Sequence, residues 1–258
     1  MFRNAVITAV SVVAFAAAAN AADMYRAPDG GGGYKDGPAY VAVNWSGFYA
    51  GAHIGGAWGD MKTTDVLGFG LPTGESFHNR PTDVFGGGQL GYNFQRDRFV
   101  FGVEADFGDM PLSKTSIEST TPFSTASSKI DSSFYADVTG RLGFTVDRAL
   151  IYAKGGYAYL DGTIGYSSVG PAVGGWNFAG SKSGLSGWTA GAGVEYKINR
   201  SWSVKAEYLH FDFGSETITI SEAATGVTGG VKLQNKLEVD TAKVGVNYFL
   251  LPTYEPLK

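Results

Sequence analysis

Apolar and polar residues alternate one by one in many segments of this chain, which is the pattern of a β-strand with one apolar and one polar face. In one such segment Phe134 and Val138 share a face opposite to that of Asp137. The alternation occurs at 47–58, 83–95, 99–107, 133–144, 188–196, 202–208 and 244–248. An eighth segment, 149–160, is apolar on both faces, and Lys154 marks its polar side. The pattern predicts an all-β protein with eight strands.

The connections between these predicted strands are alternately long and short. Three are tight turns containing Asp-Arg or Asn-Arg, at 95–98, 145–148 and 199–201, and Asx residues suit tight turns. Four are long, at about 59–82, 108–132, 161–186 and 212–238. A soluble sandwich has no reason to keep this order, whereas a transmembrane barrel has short periplasmic turns and long extracellular loops. We therefore predict an eight-stranded antiparallel up-and-down transmembrane β-barrel with both termini on the periplasmic side.

The ionised side chains within the predicted spans all fall on the polar parity, that is, on the alternate positions of each strand that lie opposite its apolar side chains. They are Glu104, Asp106, Asp137, Arg141, Lys154, Glu195, Lys205, Glu207 and Lys243. A Lys or Arg facing lipid at the midplane would cost about 2–4 kcal/mol, and the interior of an eight-stranded barrel is just filled by side chains. Because buried ions must be paired, we predict a salt-bridged interior network, to which Tyr49 and Tyr152 can add hydroxyl groups. The alternative is a gated pore whose pairs exchange partners.

Aromatic residues separate the barrel from a soluble sandwich, which would show the same alternation. Several lie at the ends of predicted strands, where a membrane-interface girdle belongs: Trp58, Phe94, Phe99, Tyr196 and Trp202. Two acids, Glu238 and Asp240, fall on the lipid-facing parity. We therefore predict that these two lie above the membrane, at the rim.

The start of the chain has a different pattern from the rest. Arg3 and an apolar run that ends at a small-residue cleavage site predict a secretory signal. The predicted organisation is a signal peptide at 1–21, a flexible periplasmic lead-in at 22–45, the barrel at 46–250 and a tail at 251–258. No stretch after the signal approaches about 18 consecutive apolar residues, so a helical membrane protein is excluded. The signal predicts export from the cytoplasm.

Composition narrows the chemistry further. The 258 residues include no Cys and 3 His, which excludes disulfide scaffolds, thiolate metal sites and cysteine nucleophiles and leaves little for a histidine-rich metal site. The formal net charge of −4 argues against a nucleic-acid partner. Gly at 38 residues, aromatics at 14% and charged residues at 17% suit a closed β-sheet. We assign no catalytic, cofactor-binding or metal-binding residue.

Four short segments carry a family resemblance: Trp-Ser-Gly-Phe-Tyr-Ala-Gly at 45–51, Gly-Tyr-Asn-Phe at 91–94, Gly-Gly-Tyr-Ala-Tyr at 155–159 and Val-Gly-Val-Asn-Tyr at 244–248. Over about 45–250 the chain resembles the small porin-like outer-membrane β-barrel proteins of alphaproteobacteria. The resemblance implies a monomeric barrel, similar to the membrane domain of OmpA, in the bacterial outer membrane. It implies contact with outer-membrane lipid, lipopolysaccharide and the barrel-assembly machinery. Such chains end on an aromatic residue, where this chain has Leu250.

Motifs with possible chemistry are few. Gly86 to Gly91 matches GxGxxG, but the motif lies in an alternating segment with no helix after it, so we interpret it as strand glycine. Some eight-stranded barrels are lipid A deacylases that pair a His with a Ser two residues later. Neither His53, His78 nor His210 has such a Ser. His210 is the single candidate, through its neighbours Asp212 and Ser215 in the sequence.

The function predicted from these features is a structural role in the integrity of the cell envelope, with four loops at the surface. One alternative is a narrow porin that passes ions or small solutes. A second is a lipid A-modifying enzyme that uses His210. A third is binding of haem or a host surface by the loops, of which 109–131 is rich in Ser and Thr and 161–187 in Gly and Ser.

Overall fold

The computed structural model describes residues 43–65, 76–121, 124–169, 177–222 and 228–250. The predicted signal peptide, nearly all of the predicted lead-in and the predicted tail lie outside these residues. Within the described ranges, no helix has the length and apolar character needed to cross a membrane.

Across the described residues the chain forms ten β-strands. They are β1 Gly47–Asp65, β2 Ser76–Asn79, β3 Thr82–Arg96, β4 Phe99–Asp109, β5 Ser113–Thr121, β6 Ser124–Val146, β7 Ala149–Val169, β8 Asn177–Lys197, β9 Trp202–Glu222 and β10 Thr228–Phe249. Eight of these, all except β2 and β5, pair in antiparallel succession and close into a ring where β10 pairs with β1. The predicted eight-stranded up-and-down barrel is confirmed.

The three predicted tight turns are present, and Asx residues shape each of them. Asp97 and Asp147 have φ of 54° and 50°, in the left-handed region that Asp tolerates better than most residues. The side-chain oxygen of Asn199 accepts hydrogen bonds from the amides of Ser201 and Trp202, both at 2.9 Å. Short turns of this kind leave one end of the barrel compact.

At the other end the strands extend well beyond the predicted spans. Much of the sequence predicted as long loops is strand, and β6 alone has 23 residues. The reason is that the apolar parity inverts along the strand. In β10, Val244 and Val246 are exposed on one face, whereas farther along Leu237 and Val239 are buried on the other. A strand that is predicted from apolar residues on one constant face therefore ends where the apolar residues change to the other face.

The two short strands also lie in connections predicted as loops. β2 pairs with β1, and β5 pairs with β6. Each therefore adds a short strand beside a ring strand, at the end of the barrel opposite the tight turns. Asn79 of β2 donates from Nδ2 to the carbonyl oxygen of Lys114 in β5, at 3.1 Å. This side-chain hydrogen bond links the two short strands, which share no ladder in the described residues.

The outer wall near the short turns is apolar. Ile54, Val103, Val138 and Val244 all expose more than half of their surface there. Eight residues separate Tyr248 from Asp240, which is about 26 Å along a strand and about 20 Å in height at a tilt of about 40°. This is close to the ~25 Å apolar band of a membrane barrel. We call the part of the ring from the short turns to the level of Asp240 the membrane half, and the part beyond it the outer half.

Inside the outer half most of the buried apolar residues form one hydrophobic cluster. Its members are Ala57, Met61, Phe85, Met110, Leu112, Ile130, Tyr135, Ala158, Leu160, Ile164, Leu185, Leu209, Phe211, Phe213, Ile218, Leu237 and Val239. Inside the membrane half, by contrast, the buried residues are mostly polar or charged. The hydrophobic core therefore lies beyond the lipid-facing band and not within it.

Candidate functional site: the ionic interior

All nine residues predicted for the interior network lie inside the membrane half, on β4, β6, β7, β8, β9 and β10. Alternation places them there, since their neighbours in sequence face the opposite way. Their exposed fractions lie between 1% and 4%. They are Glu104, Asp106, Asp137, Arg141, Lys154, Glu195, Lys205, Glu207 and Lys243.

Lys154 lies at the centre of the ion pairs. Its Nζ is 2.6 Å from Glu104 Oε1, 2.7 Å from Asp106 Oδ2 and 3.5 Å from Glu207 Oε1. The three acids come from two strands, β4 and β9, neither of which is a ladder neighbour of β7. Lys154 therefore joins strands across the width of the barrel.

Two further lysines share the same acids. Lys205 Nζ lies 3.0 Å from Glu104 Oε1 and 3.3 Å from Glu207 Oε2. Lys243 Nζ lies 2.7 Å from Asp106 Oδ1 and 3.2 Å from Glu207 Oε2. Because each of these carboxylates contacts at least two ammonium groups, no single lysine compensates any of them alone.

Arg141 forms the end of the network nearest the short turns. Its Nη1 lies 3.1 Å from Glu195 Oε2 and 3.6 Å from Glu104 Oε2, and its Nε donates to Asn93 Oδ1 at 2.8 Å. The guanidinium carbon is 4.8 Å from the centre of the Tyr49 ring, a cation–π distance. A planar, always-charged group with five donors suits a site with several acceptors.

The two tyrosines predicted to add hydroxyls do contact the network. Tyr49 donates to Glu104 Oε2 at 2.8 Å, and Tyr152 donates to Glu207 Oε1 at 2.7 Å. The Tyr49 ring lies over Gly91, where a Cβ would be 2.1 Å from the phenolic oxygen. The GxGxxG match is therefore part of β3, and its last glycine makes room for an inward ring.

A chain of neutral groups continues the network, and sequence analysis did not predict it. His53 Nδ1 donates to Gln89 Oε1 at 2.7 Å, so Nε2 accepts from the Tyr135 hydroxyl. Gln89 Nε2 donates to Asn247 Oδ1 at 2.7 Å, and Asn247 Nδ2 donates to Glu195 Oε1 at 2.8 Å. The available signal was the position of His53, Gln89 and Asn247 on the polar side of their strands.

Asp137 differs from the other eight. Neither of its carboxylate oxygens has a hydrogen-bond partner among the described residues. Asp106 is its cross-strand neighbour in the β4–β6 register, so two acids face each other. The nine residues comprise five carboxylates and four cations, and Asp137 is the carboxylate left without an ion pair.

Three of the acids are close enough to suggest metal ligation, but ammonium groups fill the space between them. Carboxylate oxygens of Glu104, Asp106 and Glu207 lie within 4.8 Å of one another. Lys154 lies within 3.5 Å of all three. A metal ion would have to displace that charge, so the described arrangement is an ion-pair network and not a metal centre.

The other two histidines lie outside the barrel interior, near the rim. His210 Nδ1 is 2.9 Å from Asp240 Oδ1, which also accepts from Tyr208 at 2.6 Å. His78 Nδ1 is 2.7 Å from Asp60 Oδ1. Burial would raise the pKa of Asp60, but the hydrogen bonds from His78 and Arg80 outweigh that effect and hold it below its usual value.

Glu238 and Asp240 face outward, as their parity predicted. Asp240 lies beside Trp58 in the β1–β10 register, and Glu238 pairs with Lys236 at 2.7 Å. Both acids therefore lie on the outer wall, at or just beyond the level of Trp58 where the membrane half ends.

The end near the short turns is closed by an aromatic and cationic cluster. Lys197 Nζ lies 3.5 Å from the centre of the Phe249 ring and 5.2 Å from that of Trp45, and it donates to the carbonyl oxygen of Asn44 at 2.9 Å. Trp45 has no exposed surface. The residues that lead into β1 thus cover this mouth of the barrel.

A closed ring with an apolar outer band and a charged interior defines an integral outer-membrane β-barrel protein. The family model for the outer membrane protein beta-barrel domain matches residues 6–249, and the chain belongs to that family. It is located in the outer membrane.

Two relatives illustrate the family. The 31 kDa outer-membrane immunogenic protein of Brucella melitensis is 30% identical over a match 258 residues long with gaps included, and the match covers 95% of this chain and 99% of that protein. The 22 kDa outer membrane protein of Rhizobium leguminosarum is 28% identical over 183 residues, covering 70% of this chain and 71% of that protein.

Among solved structures, the chain is similar to the outer membrane protein OprG of Pseudomonas aeruginosa. The TM-score is 0.46 at 13% identity, covering 79% of this chain and 95% of that one. It is also similar to Ail of Yersinia pestis, with a TM-score of 0.35 at 14% identity, covering 79% and 98%.

Proposed function

We propose that the protein is a non-conducting, non-enzymatic barrel that contributes to the integrity of the outer envelope and presents its hairpins at the cell surface. It works as a monomer in contact with outer-membrane lipid and lipopolysaccharide, and it is inserted by the barrel-assembly machinery.

The observation that carries this proposal is that side chains fill the interior of both halves of the barrel. Ion pairs occupy the membrane half, and the hydrophobic cluster occupies the outer half. An ion crossing the barrel would need to separate buried ion pairs and then pass an apolar plug. Breaking a buried pair costs about 3–5 kcal/mol, so a closed resting barrel is supported.

A narrow porin is the second candidate, and one observation favours it. Lys154, Lys205 and Lys243 each contact at least two acids, so a lysine can change partner without losing its last carboxylate. Exchange of this kind is the physical requirement for a gate. The hydrophobic cluster beyond the network is the argument against a gate that opens at rest.

Conductance in a planar bilayer tests the choice between the two. The folded protein, verified by a heat-dependent gel shift, should give no reproducible current steps. The matched variants are Lys154→Met in the network and Leu160→Ala in the cluster, both inward on β7. Steps from the unmodified protein would overturn the non-conducting proposal and establish the porin.

The envelope role has its own test. Deletion of the coding sequence from its host should increase uptake of a hydrophobic dye and sensitivity to detergent. Re-expression of the unmodified chain should restore both, and re-expression of Asp240→Asn, which alters the rim pair with His210, should restore them equally. An intact barrier after deletion would contradict the structural role.

A further inference from the structure

A polar notch of about 370 Å³ opens in the outer wall of the barrel, and the proposed closure of the interior does not involve it. Its wall is made by strands β6 and β7. The side chains that line it are those of Lys129, Asp131, Ser132, Ser133, Asp161 and Thr163. All of them are polar, and two glycines, Gly162 and Gly165, complete the wall. Its volume lies in the range of small-ligand sites.

Two adjacent irregularities in the sheet create the notch. The β6–β7 ladder changes register between Ser132 and Tyr135, and the β7–β8 ladder changes register between Leu160 and Thr163. Such bulges bend a strand and redirect side chains, and they recur at barrel rims and functional sites. The notch is thus part of the backbone path and does not depend on one side-chain rotamer.

The level of the notch along the barrel axis indicates what surrounds it. Phe134 lies within the β6 irregularity and Tyr159 directly before the β7 irregularity, and they expose 45% and 36% of their surface on the outer wall. Tyr159 is eight residues from Ile151, the same span along a strand as that from Tyr248 to Asp240. The notch therefore lies immediately above the apolar band, at the level of the headgroups of the outer leaflet.

The lining selects the chemistry of a ligand. Asp131 and Asp161 supply carboxylate acceptors, and Ser133 and Thr163 supply hydroxyls. The single ammonium group, Lys129 Nζ, lies 2.8 Å from Asp131 Oδ2 and is already paired. Two carboxylates against one paired cation repel a phosphate, whereas sugar hydroxyl and amide groups donate hydrogen bonds to such acceptors.

We propose that this notch binds the sugar headgroup of an outer-leaflet glycolipid, whose acyl chains lie against Phe134 and Tyr159 on the wall below. An amphiphile of this kind matches both parts of the surface, polar above and apolar beneath. The inference rests on the lipopolysaccharide contact of the proposed function and gives that contact a location and a chemistry.

Titration of the folded full-length protein in detergent micelles with purified lipopolysaccharide, both intact and dephosphorylated, tests the site. Removal of the phosphates should not weaken binding, because the lining repels phosphate. Ser133→Trp fills the notch and should weaken binding at least tenfold. The matched control is Thr217→Trp, an exposed position on β9 in the outer half, which should stay within twofold of the unmodified protein. Heat-dependent gel shifts verify that both variants are folded.

A second variant separates the possible ligand chemistries. Asp131→Asn with Asp161→Asn removes both carboxylates and should weaken binding of lipopolysaccharide if sugars are recognised. Tighter binding by this variant, or equal binding of a phospholipid such as phosphatidylglycerol, would mean that the notch takes phosphate and would overturn the proposal. Equal affinity of all variants would mean purely apolar association and would overturn it as well. Conductance is independent of the notch, so the two proposals fail separately.

Discussion

The membrane half and the outer half of this barrel are built from the same strands with opposite chemistry. Along β10 the inward positions change from Lys243 to Val239, while the outward positions change from Val244 to Asp240. Neither the strand nor its pleat is interrupted at that level. Lipid surrounds the membrane half and water surrounds the outer half.

The comparison teaches that the surrounding medium, and not a fixed rule for interiors, decides which residues a strand buries. In the outer half, burial of apolar side chains is the usual driving force. In the membrane half an apolar side chain gains nothing from facing the interior instead of the outer wall, because lipid is as apolar as a protein core. Ion pairs and hydrogen bonds across the barrel then hold the strands together. Changes in the two halves should therefore fail for different reasons.

The largest expected effect is removal of the central cation. Lys154→Met leaves Glu104 and Asp106 buried with fewer counter-charges and should lower the free energy of unfolding by about 3–5 kcal/mol. Adding Asp106→Asn to this variant should recover part of the loss, since it removes one of the uncompensated charges. Urea unfolding in lipid vesicles measures both. A loss under 1 kcal/mol for Lys154→Met would show that the network does not hold the membrane half together.

The corresponding change in the outer half is Leu160→Ala, an inward residue six positions farther along β7. Loss of buried methyl groups and the resulting cavity should cost about 2–5 kcal/mol. Here no second substitution of a charged residue should recover stability, because the missing term is apolar packing. Rescue of Leu160→Ala by Asp106→Asn in the same unfolding assay would remove the distinction between the halves.

The outer wall gives a third comparison, on one strand and one face. Leu90 is exposed to lipid on β3, and Thr82 is exposed on the same strand beside Trp58. Leu90→Arg should cost about 2–4 kcal/mol and reduce membrane assembly, whereas Thr82→Arg near the interface should cost about 0–1 kcal/mol. The fraction of folded protein in isolated outer membranes measures this. Equal assembly of the two variants would contradict the assigned membrane level.

Much of this arrangement could be predicted from the sequence, because alternation with a constant sign covers the membrane half. The eight ring strands follow from it. The tight turns at Asp97, Asp147 and Asn199 follow from their Asx residues, and the membrane location follows from the long and short order of the connections. The outer half could not be predicted in the same way. Once the apolar parity inverts, as between Val244 and Val239, the segment no longer continues the pattern and is interpreted as a loop.

Within the candidate site, parity identified which charges lie inside but not how they pair. That Lys154 contacts acids of both β4 and β9 depends on the curvature of the whole ring, which no local pattern contains. The chain of neutral groups through His53, Gln89 and Asn247 was not predicted, for a different reason. Neutral polar residues at inward positions of a barrel carry no electrostatic requirement, so nothing in the sequence forces them together.

The smallest expected effect on the free energy of unfolding concerns the solvent-exposed surface of the outer half. Hydrogen bonds from His78 and Arg80 outweigh burial and lower the pKa of Asp60. A carboxyl group with a lowered folded pKa stabilises the fold above its unfolded pKa of about 3.9 and loses that contribution as the pH falls through the folded value. Asp60→Asn should therefore cost about 0.2–1 kcal/mol at neutral pH. The difference from the unmodified protein should vanish at the acid end of a series of urea unfolding curves.

A double-mutant cycle with Arg80→Met completes this last comparison. If the pair acts as described, Arg80→Met should have less effect in the Asp60→Asn background than alone. Both differences should shrink at high salt, since the side chains are partly exposed and their charges are screened. The Lys154→Met loss should change little with salt, because those charges lie inside the barrel. Equal salt dependence at the two sites would mean that water reaches the interior network, and the contrast between a sealed membrane half and a solvated rim would no longer hold.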